Sequence, residues 1–118
     1  MTTILLVDDN PANRELLREI LELDSYEVHE AEDGANAVRL YKELNPDLTI
    51  LDLQMPGLDG FQTLAAILES DREALVIAVT AFAMRGDRER ALDAGFRDYI
   101  TKPVEMTHLR NRIRELLA

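Results

Sequence analysis

Three separate apolar runs in this chain end in the same kind of chemistry. Ile4-Leu5-Leu6-Val7 stops at Asp8-Asp9, Leu48-Thr49-Ile50-Leu51 stops at Asp52, and Leu75-Val76-Ile77-Ala78-Val79 stops at Thr80. A fourth short run, Tyr99-Ile100, is followed closely by Lys102-Pro103. Short continuous apolar runs read as strands buried on both faces, the condition of a parallel sheet covered by helices. In open α/β sheets the ligand site lies outside the carboxyl ends of the strands. Asp8, Asp9, Asp52, Thr80 and Lys102 are therefore expected to converge on one rim. Clustered carboxylates with one hydroxyl and one ammonium suit a hard divalent cation and a phosphoryl group.

Helical spacing fills the gaps between these runs. Leu16, Leu17, Ile20 and Leu21 predict a helix after Pro11, a residue that fits a first helical turn. Tyr26 to Ala31 reads as a short strand. Asp33-Gly34 opens a second helix with Ala37, Val38, Tyr41 and Leu44 on one face, and Asn45-Pro46 stops it. The third strand runs from Leu48 to Leu53, and the turn-rich stretch Met55-Pro56-Gly57-Leu58-Asp59-Gly60 follows. Phe61, Leu64, Ala65 and Leu68 mark a third helix, and Leu75 to Thr80 the fourth strand. A helix is expected from about Met84 to Ala94, with Gly95 as the residue that ends it. Asp98 to Ile100 is a short fifth strand, and Met106, Leu109, Ile113 and Leu116 make a last amphipathic helix. Five βα units with right-handed crossovers give a three-layer α/β sandwich. At 118 residues the chain is read as one domain, spanning 1–118. A closed eight-unit barrel needs roughly twice that length.

Composition narrows the partners. The formal charge is −10, so the chain is a poor ligand for nucleic acid, whose phosphates are held mainly by Lys and Arg, and for an anionic membrane surface. With no cysteine there is no disulfide, thiolate metal site or thiol nucleophile. No stretch resembles a signal peptide or a membrane span, and the expected compartment is the cytoplasm.

The whole chain resembles the receiver domain of two-component response regulators, the CheY-like family. The resemblance rests on Val7-Asp8-Asp9-Asn10, on Leu51 to Gly60, on Val79-Thr80-Ala81 and on Tyr99-Ile100-Thr101-Lys102-Pro103, in that order and each at a strand end. The stretch Thr80 to Asp87 is most similar to single-domain receivers of the DivK type. The resemblance implies a flavodoxin-like sheet of strand order 2-1-3-4-5. It implies Asp52 as phosphoacceptor, with Mg²⁺ held by Asp8, Asp9, Asp52 and the Gln54 backbone carbonyl. Thr80 and Lys102 then contact phosphoryl oxygens, Thr80 and Tyr99 form the switch, and Lys102-Pro103 is a cis peptide. A sensor histidine kinase or histidine phosphotransfer protein is the implied donor. The output is a change in the face formed by the fourth helix, fifth strand and fifth helix, read by a downstream protein. The protein is expected as a signalling switch and not an enzyme, and as a monomer or a phosphorylation-dependent dimer. Bottom-up chemistry agrees: a carboxylate can accept a phosphoryl group as an acyl phosphate, and the transfer needs mostly positioning and charge neutralisation.

Plainer readings stand beside these. Asp8 or Asp9 could simply cap the first helix. Asp52 could form a plain ion pair with Lys102. His29 and His108 lack partners at ligand spacing and read as surface residues. Arg85, Arg88 and Arg90, interleaved with Asp87 and Glu89, read as a solvated helix face. The first helix's leucine stripe reads as core. A phosphatase of the haloacid-dehalogenase kind places its two acids one residue apart, whereas here they are adjacent. A flavodoxin needs a Ser, Thr and Gly phosphate loop where this chain has Asp8-Asp9-Asn10-Pro11. A receiver that only docks would not need Asp9, Asp52, Thr80 and Lys102 together.

Overall fold

The computed structural model describes residues 1–55, 57, 59–81 and 85–118. Strands and helices alternate: β1 (Thr3–Val7), α1 (Pro11–Glu22), β2 (Glu27–Ala31), α2 (Gly34–Leu44), β3 (Leu48–Asp52), α3 (Gly60–Ser70), β4 (Val76–Thr80), α4 (Asp87–Ala94), β5 (Asp98–Thr101) and α5 (Met106–Leu117). The five strands form one parallel sheet in the order β2-β1-β3-β4-β5. The expected α/β class and strand order are both found.

Alternation along the strands sorts the core into two layers. Leu5, Val7, Leu51, Val76 and Ala78 face one way and pack with Ala37 and Tyr41 of α2, Leu64 and Ile67 of α3, and Ala91 of α4. Ile4, Leu6, Leu48, Ile50, Ile77 and Val79 face the other way, against Leu17, Ile20 and Leu21 of α1 and Leu109 and Ile113 of α5. β1 and β3 are neighbours, yet the chain leaves β1 toward β2 and leaves β3 toward β4. This reversal opens a crevice between their carboxyl ends, which is where such sheets hold their ligands.

Several sequence expectations need correction. Leu16 is not core: it is 58% exposed, because α5 and the sheet cover only the stripe through Leu17, Ile20 and Leu21. Ala65 is exposed and the buried α3 positions are Gly60, Thr63, Leu64 and Ile67, with the expected Phe61 and Leu68 partly buried against the core. Met106 opens α5 at 43% exposure and is not core. α4 begins at Asp87, not near Met84. Met84 itself, Phe82, and the loop residues Pro56 and Leu58 lie outside the described residues. His29 is half-buried on β2, with Nε2 3.7 Å from Glu27.

Thr49, in the middle of β3, is fully buried, and its hydroxyl has no hydrogen-bond partner among the described residues. Its Cα partners are Leu5 and Val76, both apolar. A buried hydroxyl without a partner costs about 1–3 kcal/mol of desolvation. Thr49→Val, of nearly the same shape, is expected to stabilise the fold by ~1 kcal/mol and raise the melting temperature by about 4 °C. Thermal melts of the two proteins check this.

Candidate functional site

Each rim residue is delivered by a strand end. β1 stops at Val7 and hands over to Asp8 and Asp9. Neither acid caps α1. That role falls to Asn10, whose side chain accepts from the N–H groups of Ala12 at 2.9 Å and Asn13 at 3.3 Å, with Pro11 at the first helical position. A cap at Asn10 leaves the Asp8 and Asp9 carboxylates available for the crevice.

On the other side of the crevice β3 ends in Asp52, and α3 starts close behind it. Asp59 and Gln62 cap α3 reciprocally. At Gly60 the helix presses on the strand end: a Cβ there would lie 2.6 Å from the Leu53 Cα and 2.9 Å from the Asp52 carbonyl oxygen. Glycine is required by this approach and not by its dihedrals. After α4, Gly95 turns the chain at φ +117°, a left-handed conformation suited to glycine.

The three acids converge. Asp8, Asp9 and Asp52 each offer a carboxylate oxygen, all within 4.8 Å of one another. Asp8 and Asp52 are buried and Asp9 is exposed, so the cluster opens to solvent on one side. Lys102 extends from beyond β5 and places Nζ 3.1 Å from Asp8 Oδ2 and 3.4 Å from Asp52 Oδ2. Its ion pair is therefore shared, not the simple Asp52 pair that a plain reading allows. The remaining oxygens are held by backbone: Asp8 Oδ1 accepts from the Asn10 N–H and Asp52 Oδ1 from the Gln54 N–H, both at 2.9 Å. Thr80 ends β4 at 1% exposure, and its carbonyl accepts from the Lys102 N–H at 2.7 Å. The Lys102-Pro103 peptide is cis.

Burial pushes the Asp52 carboxyl above its usual range; the Gln54 N–H and the Lys102 charge pull it down without cancelling the rise, and Asp8 adds to it. Burial also weighs against the Lys102 charge. There the hydrogen bond to Asp8 and the charges of Asp52 and Asp8 win, and the ammonium sits above its ordinary value. Three carboxylates against one ammonium leave the rim short of positive charge. An all-oxygen donor set with an open side fits Mg²⁺, which takes one or two carboxylates and keeps several waters.

Tyr99 is on β5, 8% exposed, packed in the layer that holds Ala78, Ala91 and Phe96. The strand's first residue, Asp98, is a buried acid that the sequence pattern does not single out. Burial opposes its charge, but Arg112 of α5 at 2.6 Å, the Tyr99 N–H and Arg88 of α4 hold its carboxyl below the usual range. Arg88 also donates to the Tyr99 carbonyl at 3.3 Å, and Arg90 lies 4.9 Å over the Phe61 ring. Arg85, Arg88 and Arg90 are all exposed, as expected of a solvated face, and Arg88 and Arg90 make these contacts from its surface. One signal could have found the cluster: an acid inside a buried strand demands cations from the flanking helices. His108 is exposed, as expected.

A groove of about 450 Å³ adjoins the rim. Leu16, Leu17, Ile20, Pro103 and Val104 make it mainly apolar, and Lys102 lines it too. Among the described residues no helix is long and apolar enough to cross a membrane.

Known proteins share this sequence pattern and fold. Residues 4–114 match the model of the response regulator receiver domain. The chain is 42% identical over 111 residues to the signal transduction histidine-protein kinase BarA of Shigella flexneri, covering 92% of this chain but only 12% of that protein's length. It is 36% identical over 118 residues to the polar-differentiation response regulator DivK of Brucella anthropi, covering 98% of this chain and 96% of that one. Among solved structures it superposes, with TM-score 0.90 and 29% identity, on a chain of the co-crystal structure of the Saccharomyces cerevisiae histidine phosphotransfer signaling protein Ypd1 and the receiver domain of its downstream response regulator Ssk1. The overlap there covers 98% of this chain and 88% of that one. Receiver domains use Mg²⁺ at an acidic pocket and work as switches rather than as classical enzymes. By full-length sequence match, by fold and by the acidic rim, this chain belongs to the response regulator receiver family of two-component signalling.

Proposed function

We propose that residues 1–118 act as one receiver domain that accepts a phosphoryl group on Asp52 from a phosphohistidine. The donor is a sensor histidine kinase or a histidine phosphotransfer protein. The observation that carries this reading is the convergence of three carboxylates within 4.8 Å, with one ammonium shared between two of them. An Asp52 oxygen attacks phosphorus, the O–P bond forms and the N–P bond breaks. The electron pair leaves on the imidazole nitrogen, which takes a proton from solvent. Asp8, Asp9, Asp52 and the Gln54 carbonyl are the residues that would hold Mg²⁺. When bound, Mg²⁺ neutralises charge on the rim and on the phosphoryl oxygens. Lys102 acts as a point charge toward one phosphoryl oxygen, and the Thr80 hydroxyl donates to another. The apolar groove beside Lys102 supports docking of the donor next to the acceptor.

The new contacts to Thr80 and Lys102 bias a pre-existing equilibrium. Thr80 moves toward the phosphoryl group, Tyr99 follows, and the α4-β5-α5 face changes for a downstream protein partner, in the cytoplasm. Arg88 and Arg112, which join α4 and α5 to the start of β5, lie on the path of this change.

Intact mass after incubation with acetyl phosphate and Mg²⁺ tests the acceptor. Wild type gains one phosphoryl group, and Asp52→Asn gains none. Thr80→Ala still accepts phosphate, but a beryllofluoride mimic no longer moves the amide signals around Tyr99. Labelling of Asp52→Asn at wild-type stoichiometry would remove Asp52 from the role. Undiminished shifts in Thr80→Ala would remove Thr80 from the switch.

A further inference from the structure

We propose that Arg14 is a positioning residue for the acidic rim: clamped by Glu30, it holds the Asp8 main-chain carbonyl and so fixes where the Asp8 and Asp9 carboxylates stand. The inference rests on the reading of this rim as a Mg²⁺ site. Arg14 Nη1 donates to the Asp8 carbonyl at 2.7 Å, and its Nε pairs with Glu30 Oε1 at 3.2 Å. The other Glu30 oxygen is taken by Arg18 at 2.6 Å, and Arg18 in turn pairs with Glu22 at 3.2 Å. The Arg14 side chain is 16% exposed, so this is a half-sheltered contact and not a loose surface pair.

The Asp8 backbone is referenced to β2 on both of its polar atoms. Its N–H donates to the Ala31 carbonyl at 3.2 Å, and its carbonyl is held by a guanidinium anchored on Glu30. β2 contributes no carboxylate to the cluster, yet it locates the segment that contributes two. Mutually repelling carboxylates need such a brace. In the metal-free protein the loop between β1 and α1 gains Coulomb energy by swinging Asp8 and Asp9 away from Asp52. A planar guanidinium can donate to a carbonyl and a carboxylate at once, a geometry that an ammonium does not reproduce.

The test uses the full chain and Mg²⁺ titrated by calorimetry. Arg14→Gln is expected to weaken Mg²⁺ binding about tenfold, the size of effect typical for groups that orient metal ligands. Arg14→Lys should recover part of the loss. Glu30→Gln, which keeps the guanidinium but removes its anchor, should weaken binding in the same direction. Arg110→Gln is the structural control: it breaks a two-point pair to Asp24 with distances of 2.9 and 2.6 Å, and should lower the melting temperature while leaving Mg²⁺ affinity unchanged. Affinity of Arg14→Gln within twofold of wild type overturns the proposal. So does an equal loss in Arg110→Gln. If wild type binds no Mg²⁺, or Asp9→Asn binds it undiminished, the metal reading itself fails. The role of Arg14 is then decided by metal-free amide spectra, where Arg14→Gln should shift Asp8, Asp9 and Asn10 but not the ends of β4 and β5. Unmoved Asp8, Asp9 and Asn10 signals overturn it.

Discussion

Without metal, Asp52→Asn melts at a higher temperature than wild type, and with saturating Mg²⁺ the order reverses. The first half follows from the acids' spacing. Two carboxylates within 4.8 Å repel by about 3 kcal/mol at an effective dielectric near 20, and Lys102 offsets only part of this. The amide oxygen of the variant can still accept from the Gln54 N–H, and Lys102 keeps Asp8. Expected is a gain of ~1 kcal/mol, or about 4 °C. The second half follows from linkage: a cation held by the native state at a hundred times its dissociation constant stabilises by about 2.7 kcal/mol. With Asp52 among the proposed Mg²⁺ ligands, the variant is expected to lose most of that.

The pH dependence carries a definite sign. The folded-state pKa of Asp52 is raised above its value of 3.8 in the unfolded chain. Its favourable contribution is therefore complete below pH 3.8 and disappears as pH rises through the folded value. The metal-free gap between Asp52→Asn and wild type should be small near about pH 4 and grow toward neutrality. Asp98 and Asp24 have lowered values and run the other way, losing stability as pH falls, but they are common to both proteins and cancel in the difference. Melting curves with and without Mg²⁺ at several pH values check both statements. Coincident curves would mean that the acids do not act as a cluster.

Gly60→Ala is expected to damage the fold and the site together. Besides the Leu53 Cδ2 at 2.8 Å, the new Cβ would meet two backbone atoms, the Leu53 Cα at 2.6 Å and the Asp52 carbonyl oxygen at 2.9 Å. Neither atom can rotate away as a side-chain tip can. The helix must lift from the strand, straining the 3.3 Å bond from the Gly60 N–H to the Leu53 carbonyl. Such overpacking costs about 1–3 kcal/mol, and here the displaced strand end carries Asp52. The variant should melt several degrees lower and accept phosphate from acetyl phosphate more slowly than wild type at equal Mg²⁺. A labelling rate equal to wild type in a destabilised Gly60→Ala would show that Asp52 keeps its place independently of α3.

The strands and the rim are legible in the sequence because their signals are local. An apolar run that ends in Asp needs no knowledge of its neighbours to be read, and strand ends in a parallel sheet have only one rim to share. Helix faces are less legible. The periodicity of Leu16, Leu17, Ile20 and Leu21 defines a stripe, but how wide a stripe is covered depends on where α5 packs, and α5 leaves Leu16 outside. The same holds for Ala65 against Ile67 in α3. The arginine contacts are not legible at all. Arg14 with the Asp8 carbonyl, Arg110 with Asp24 and Arg112 with Asp98 join residues by long side chains whose reach is set by tertiary packing, and nothing in their spacing singles out one acid among 23. The capping of α1 by Asn10 is legible in principle, since Asn before Pro is a strong helix start. The adjacent pair Asp8-Asp9 offers two competing caps, and only the geometry decides among the three.

The shared position of Lys102 has a kinetic consequence. An ammonium already seated between Asp8 and Asp52 has been ordered during folding, so the side-chain entropy of bringing it there is spent before any donor arrives. For the transfer proposed above, Lys102 has no search to make; it has only to exchange one oxygen for another a short distance away. A response built on that exchange is timed by the arrival of its donor, not by the assembly of its site.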